Sequence, residues 1–213
     1  MTSRKVITPS GRGVRGYFPS WKMKMMIVWE SLLERDAILM CEFSRYIRMY
    51  WAQPEKIYFY QNDVQKYCYP DFRIEALDGS WTHIEVKPAS KLKDPILQSR
   101  LQAIKAHHEN ISIGYEVHDE SILRVEPRLT NLKLLAYHLP PLNADLGVNN
   151  DALEKLSILY PKTVGGAVAI LGDVQIVYQL LALGHYDFDI DLPISNDTLI
   201  SPRKGDGHDA FFL

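Results

Sequence analysis

The chain is poor in cysteine. It has two, Cys41 and Cys68, among 213 residues. Neither belongs to a paired metal-binding spacing. Each has apolar or aromatic neighbours, which favours reduced core thiols over a disulfide that the sequence alone leaves open. No apolar run is long enough to cross a bilayer, and the start is not a basic stretch followed by an apolar one. The chain also lacks a charge excess: at a formal net charge of -2, overall charge does not announce a nucleic-acid partner. A soluble cytoplasmic protein with no membrane partner is therefore expected. What is present is a 46% share of hydrophobic residues, enough to bury a core in one domain with an appendage or in two small domains.

Charge is uneven along the chain. The first 28 residues carry Arg4, Lys5, Arg12, Arg15, Lys22 and Lys24 and no acid. Residues 1–25, with Gly11, Gly13 and Gly16 and the aromatic Tyr17, Phe18 and Trp21, read as a basic arm. Such an arm either follows phosphates, with Arg12 and Arg15 as DNA contacts, or is a solubilising tail whose aromatic end tucks under the core.

The stretch from Tyr69 to Pro88 carries the chemistry. Phe72, Ile74, Ala76 and Leu77 suit a first strand, Asp78-Gly79 a tight turn, and Trp81 to Lys87 a second strand. Side chains alternate along a strand, so Glu85 and Lys87 share one face. The hairpin brings Asp71 beside them. Two carboxylates and an ammonium then meet at one end of a small sheet. Hard divalent cations such as Mg²⁺ prefer carboxylate oxygens plus water, and a neighbouring lysine steadies a charged phosphate. A plain surface hairpin also carries these letters, because the spacing is short and common.

Around this hairpin the pattern predicts alternating elements. A helix is expected over residues 29–43, with Leu32, Leu33, Leu39, Met40 and Phe43 inward and with Glu30 and Glu34 one turn apart. Two strands follow in residues 45–62, split at Gln53-Pro54, with a turn at Asn62-Asp63. Lys91 and Lys93, just past Pro88, are candidate phosphate contacts. Asp94 and Pro95 open a helix running to about Glu109, with Ile96, Leu97, Leu101 and Ile104 inward and His107 and His108 at its end. Ile111 to Val117 is a strand, and a strand–helix–strand unit predicts a parallel pair. Short helices are expected from Glu120 to Tyr137, bent at Pro127, then a linker at Pro140-Pro141.

Residues 150–201 read as three helices, the first capped by Asp151, the second over Thr163 to Leu171 and the third capped by Asp173, followed by a strand over His185 to Leu192 that pairs with Thr198-Leu199-Ile200. That order suggests a winged-helix-like module. Asp187, Asp189 and Asp191 make its wing too negative to read DNA, so protein docking fits better. Pro202 to Leu213 read as a tail.

A helix with an acid, then strands, then Pro70-Asp71, then Glu85-Val86-Lys87, then a helix is the order of the PD-(D/E)xK, restriction-endonuclease-like core. Arg15-Gly16-Tyr17-Phe18-Pro19-Ser20 and Trp29-Glu30-Ser31-Leu32-Leu33-Glu34-Arg35-Asp36 closely resemble the TnsA-type endonuclease subunit of heteromeric bacterial transposases. So do Tyr69-Pro70-Asp71-Phe72 and Glu85-Val86-Lys87-Pro88. The resemblance covers about residues 10–137, and more loosely the C-terminal region. It implies an α/β fold with a mixed sheet flanked by helices over residues 26–139 and a smaller winged-helix-like domain over residues 140–201. It implies catalytic roles for Glu34, Asp71, Glu85 and Lys87, with Glu34, Asp71 and Glu85 holding Mg²⁺ (Mn²⁺ substituting). Glu30 competes with Glu34, and Gln53 falls where a polar residue approaches substrate. His83 is given no role. The implied activity is hydrolysis of the 5′ strand at transposon-end DNA in a bacterial cytoplasm. The implied partners are a TnsB-type transposase and a TnsC-type AAA+ ATPase. A stand-alone restriction or repair nuclease of the same fold, or a non-catalytic protein docking DNA or the ATPase, are the alternatives.

Overall fold

The computed structural model describes residues 14–203. The expected DNA contact Arg12 and the tail from residue 204 lie outside them. The described chain divides into two compact units. The first holds Met26–Cys41 and Tyr46–Arg124, with the chain up to Phe18; the second holds Pro19–Met25, Glu42–Arg45 and the chain from Val125. The division thus follows Arg124, earlier than the Pro140-Pro141 stretch.

The described end of the expected arm is regular structure. Strands β1 (Gly16–Ser20) and β2 (Met25–Trp29) form a two-stranded sheet. Gly16 is required there, because a Cβ would stand 2.7 Å from the indole of Trp29. Helix α1 (Leu32–Phe43) follows, starting later than the hydrophobic pattern suggested because β2 runs through Trp29.

The first unit is built on a mixed four-stranded sheet in the order β3 (Ile47–Ala52), β6 (Phe72–Ala76), β7 (Trp81–Val86), β8 (Gly114–His118). The β6–β7 hairpin turns at Gly79, whose φ of +82° no Cβ hinders. Helix α2 (Pro95–Asn110) returns the chain so that β8 runs parallel to β7. Its start is capped by Asp94, whose side chain accepts from the N–H of Ile96 at 2.9 Å. Ile104 and His108 are its buried residues, whereas Ile96, expected inward, is exposed.

The alternation of the sheet sorts its two faces. Ala52, Phe72 and Ile84 pair in a row, and all three are buried, as is Val86. The next row carries Trp51, Arg73, His83 and Tyr115 on the opposite face, where α2 supplies His108. A separate two-stranded sheet joins β4 (Ile57–Gln61) to β5 (Val64–Cys68). Its turn residues Asn62 and Asp63 both have positive φ, 52° and 59°, the geometry of a tight hairpin that matches strand twist.

The second unit is helical. After α3 (Glu120–Leu123) of the first unit come α4 (Arg128–His138), α5 (Gly147–Leu159), α6 (Val164–Leu171) and α7 (Val174–Ala182). Leu132, Leu135, Leu156, Ala167, Val177 and Leu180 are buried along them. Asp173 caps α7 as expected and Thr163 caps α6, but α5 begins four residues before Asp151, which lies inside it.

The expected strand over residues 185–192 shrinks to β9 (Tyr186–Asp187), paired with β10 (Ser201–Pro202). The intervening acids are spent locally. Arg128 clamps Asp191 through two hydrogen bonds of 2.7 and 2.8 Å, and Asp189 accepts from the N–H of Asp191 at 2.9 Å. Buried Asn131 donates to the carbonyls of Ile190 and Leu192, at 2.7 and 2.8 Å, which holds this segment as a loop.

Candidate active site

Asp71 precedes β6 and Glu85 lies near the end of β7. The ladder pairs Phe72 with Ile84, so Asp71 and Glu85 fall opposite each other one step further on. The hairpin register alone therefore brings the two acids together. The Val86 N–H donates to Asp71 Oδ2 at 2.7 Å, which fixes that carboxylate at the strand end. Lys87 Nζ stands 2.6 Å from Glu85 Oε1 and 3.3 Å from Asp71 Oδ2, and donates to the Val86 carbonyl at 3.1 Å. Asp71, Glu85 and Lys87 line a pocket of about 220 Å³ with Gln53, Tyr67, Cys68, Tyr69 and Arg100.

Burial sets the electrostatics. Removal from water pushes the Glu85 carboxyl up to about 7, and the nearby charge of Asp71 adds to this, while Lys87 opposes it. Burial also works against the Lys87 ammonium, but the carboxylates of Asp71 and Glu85 outweigh it and hold the group above the ordinary lysine value. Lys87 is thus a cation and not a base. The Cys68 thiol beside them is pushed up to about 11, mainly by burial, so it is not a nucleophile at neutral pH.

Glu34 is engaged elsewhere. Its Oε2 accepts from the N–H of Glu30 at 2.8 Å, and its Oε1 accepts from the Ser31 hydroxyl at 3.1 Å. In return Ser31 Oγ accepts from the Glu34 N–H at 3.1 Å, a reciprocal clasp on the start of α1. Its carboxyl is raised mainly by burial, and the charge of Asp71 contributes, so Glu34 is still within electrostatic reach of the pocket. Glu30 faces the pocket's rim instead, accepting from Gln53 Nε2 at 3.0 Å, while the Gln53 N–H donates to the Asp71 carbonyl at 2.8 Å. Lys91 and Lys93 sit on an exposed 3-10 turn and do not line the pocket. Arg15 lies just before β1, far along the chain from the hairpin acids.

The donor set suits a divalent cation in part. Glu85 Oε2 is buried without a hydrogen-bond partner, and Asp71 Oδ1 takes none of the bonds made by Oδ2. Two carboxylates lining a small polar pocket match Mg²⁺, which takes one or two carboxylates and keeps several waters. Among the described residues, no group of three His, Cys, Asp or Glu side chains closes on one point. Asp71 and Glu85 are therefore the pair the fold offers, with Glu34 outside it.

A second polar chain runs along the same sheet face. Arg73 meets Glu55 at 3.2 Å, Glu55 meets His83 Nε2 at 3.1 Å, and His83 Nδ1 meets His108 Nε2 at 2.8 Å. His108 Nδ1 ends the chain on the Ile104 carbonyl at 2.8 Å. A carbonyl only accepts, so His108 carries a proton on Nδ1. The histidines thus lock α2 onto β7. His108 is buried in this network.

Arg100, Tyr67 and Tyr69 were not legible as pocket residues. Arg100 reaches across from α2 to donate to the Tyr67 carbonyl at 3.3 Å, and nothing in its local sequence marks that. The Ser31-to-Glu34 clasp was legible, since a serine three residues before a glutamate is a helix-start signature. Comparison of the chain with known family models and with curated proteins finds no match.

Proposed function

We propose that this chain is a metal-dependent DNA endonuclease with a restriction-endonuclease-like core, acting as a TnsA-type subunit that cuts the 5′ strand at transposon ends. One observation carries the reading. Lys87 bridges the carboxylates of Asp71 and Glu85 at the end of a hairpin, and a buried Glu85 oxygen is left without a partner. The motif order in the sequence supports the same chemistry.

In this reading Asp71 and Glu85 would hold Mg²⁺ or Mn²⁺. When bound, the ion supplies Lewis acidity that favours deprotonation of a water and offsets negative charge on the phosphate. Lys87, kept cationic by its two acids, donates toward a phosphate oxygen or holds the attacking water. Gln53 and Arg100, on the pocket wall, orient the sugar-phosphate backbone. Glu34 acts on the pocket through its charge, from the clasped start of α1. The near-neutral net charge accords with a subunit that is brought to its DNA by a TnsB-type transposase and a TnsC-type ATPase. The helical second unit, in which Arg128 pairs with Asp191, is the proposed docking region.

The test mixes the chain with Mg²⁺ or Mn²⁺ and end-labelled transposon DNA, with and without the two partners. Strand cutting at the 5′ ends that Asp71→Ala abolishes is the expected result. Equal cutting by the variant removes the catalytic claim. Cutting of unrelated naked DNA without partners moves the reading to a stand-alone nuclease.

A further inference from the structure

The β4–β5 hairpin buries one face and leaves the other open. Phe59 and Cys68 pack with Ile104 of α2, and Ile57 joins them. Tyr58, Tyr60 and Tyr67 alternate to the other side, where they are 51%, 66% and 53% exposed. The register sets Tyr58 directly opposite Tyr67, and their rings meet edge to face at 6.4 Å. The Lys56 ammonium lies 3.9 Å from the centre of the Tyr67 ring and 4.9 Å from that of Tyr58. Tyr67 continues into Tyr69 at 6.1 Å, and these two rings line the pocket that holds Asp71, Glu85 and Lys87. A row of phenol rings flanked by a cation therefore runs from the open face into the acidic pocket.

We propose that this face is a stacking platform for unpaired DNA bases, which guides a single-stranded or frayed strand to the pocket. The occupant follows from the chemistry of the row. Flat rings at water-exposed positions gain most from flat partners, and each nucleobase offers a π-face whatever its identity. A duplex hides those faces. Lys56, and Arg100 where the row enters the pocket, supply the positive charge that a phosphate backbone requires. The platform rests on the endonuclease reading for its link to the pocket, but stacking itself needs no cutting.

The experiment uses the full chain in EDTA and a short single strand carrying 2-aminopurine, beside a blunt duplex of the same sequence. Fluorescence quenching and tight binding of the single strand are expected, with weaker binding of the duplex. Combined Tyr58→Ala and Tyr67→Ala weakens single-strand binding by about tenfold or more, while the corresponding Phe pair keeps it, because the rings remain. Lys56→Gln lowers the salt dependence by about one counterion. Single-strand binding by the Ala pair within twofold of wild type overturns the platform, as does an equal loss on the blunt duplex. Cleavage in Mg²⁺ is scored separately. A chain that binds single strands through these rings yet cuts nothing keeps the platform and loses the nuclease. A chain whose Ala pair binds and cuts frayed ends as well as wild type loses the platform alone.

Discussion

Asp71 and Glu85 stand opposite each other one register step beyond the last ladder pair of the β6–β7 hairpin, Phe72 with Ile84. Like charges this close disfavour joint ionisation, and Lys87 beside both offsets it, helped by the Val86 N–H on Asp71 and by the charge of Arg100. In the proposed reading, a divalent cation held by both acids would relieve that repulsion.

Glu85→Gln is expected to stabilise the metal-free chain at pH 8, by about 1–3 kcal/mol, since the variant no longer buries a charge. The same substitution weakens Mg²⁺ binding by at least about tenfold. Thermal unfolding and calorimetric titration check the two halves, and a variant both less stable and unchanged in metal affinity contradicts the assignment.

The pH dependence has a definite sign. The Glu85 carboxyl, raised to about 7 in the fold, keeps its proton where the unfolded chain has lost it. Its contribution to stability is therefore lost as pH rises from the ordinary glutamate range through about 7, and is constant above that. Wild type minus Glu85→Gln, measured as melting temperature from pH 4 to 9, should trace this fall. Saturating Mg²⁺ should flatten it, because the ion replaces the proton.

Glu34 separates a structural role from a chemical one. Glu34→Ala removes the clasp on α1 and should cost about 1 kcal/mol. Glu34→Gln keeps an acceptor for the Glu30 N–H and loses the charge. Stability restored by Gln with cleavage still depressed about tenfold or more would establish an electrostatic role. Full activity in the Gln variant would leave Glu34 as a cap alone.

Asp36, at 1% exposure, pairs with Arg35 at 2.9 Å and with Arg124 at 2.8 Å. Asp36→Ala removes the buried acceptor of two part-exposed guanidinium groups and should cost about 1–3 kcal/mol in urea unfolding. A loss under about 1 kcal/mol would mean that water reaches the site.

Most local elements, and the order of the proposed catalytic letters, are carried by the residues alone. Asp78-Gly79 dictated the hairpin, Asp94-Pro95 the start of α2, and period-two alternation put Glu85 and Lys87 on one face. Those signals act over a few residues through backbone sterics and hydrogen bonds, so they are present in the string itself. Only the tertiary structure decided which carboxylates share the pocket. Glu34 and Glu30 are a turn apart on paper, but the clasp with Ser31 turns one to the helix start, and Gln53 draws the other to the rim. The same holds for His83 with His108 and for Arg100 with Tyr67, which α2 joins to distant strands. Likewise the expected strand over residues 185–192 shortened to Tyr186–Asp187, with Arg128 on Asp191 and buried Asn131 on the carbonyls of Ile190 and Leu192. Contacts between residues far apart in sequence depend on how the elements pack, and packing is a property of the whole folded chain.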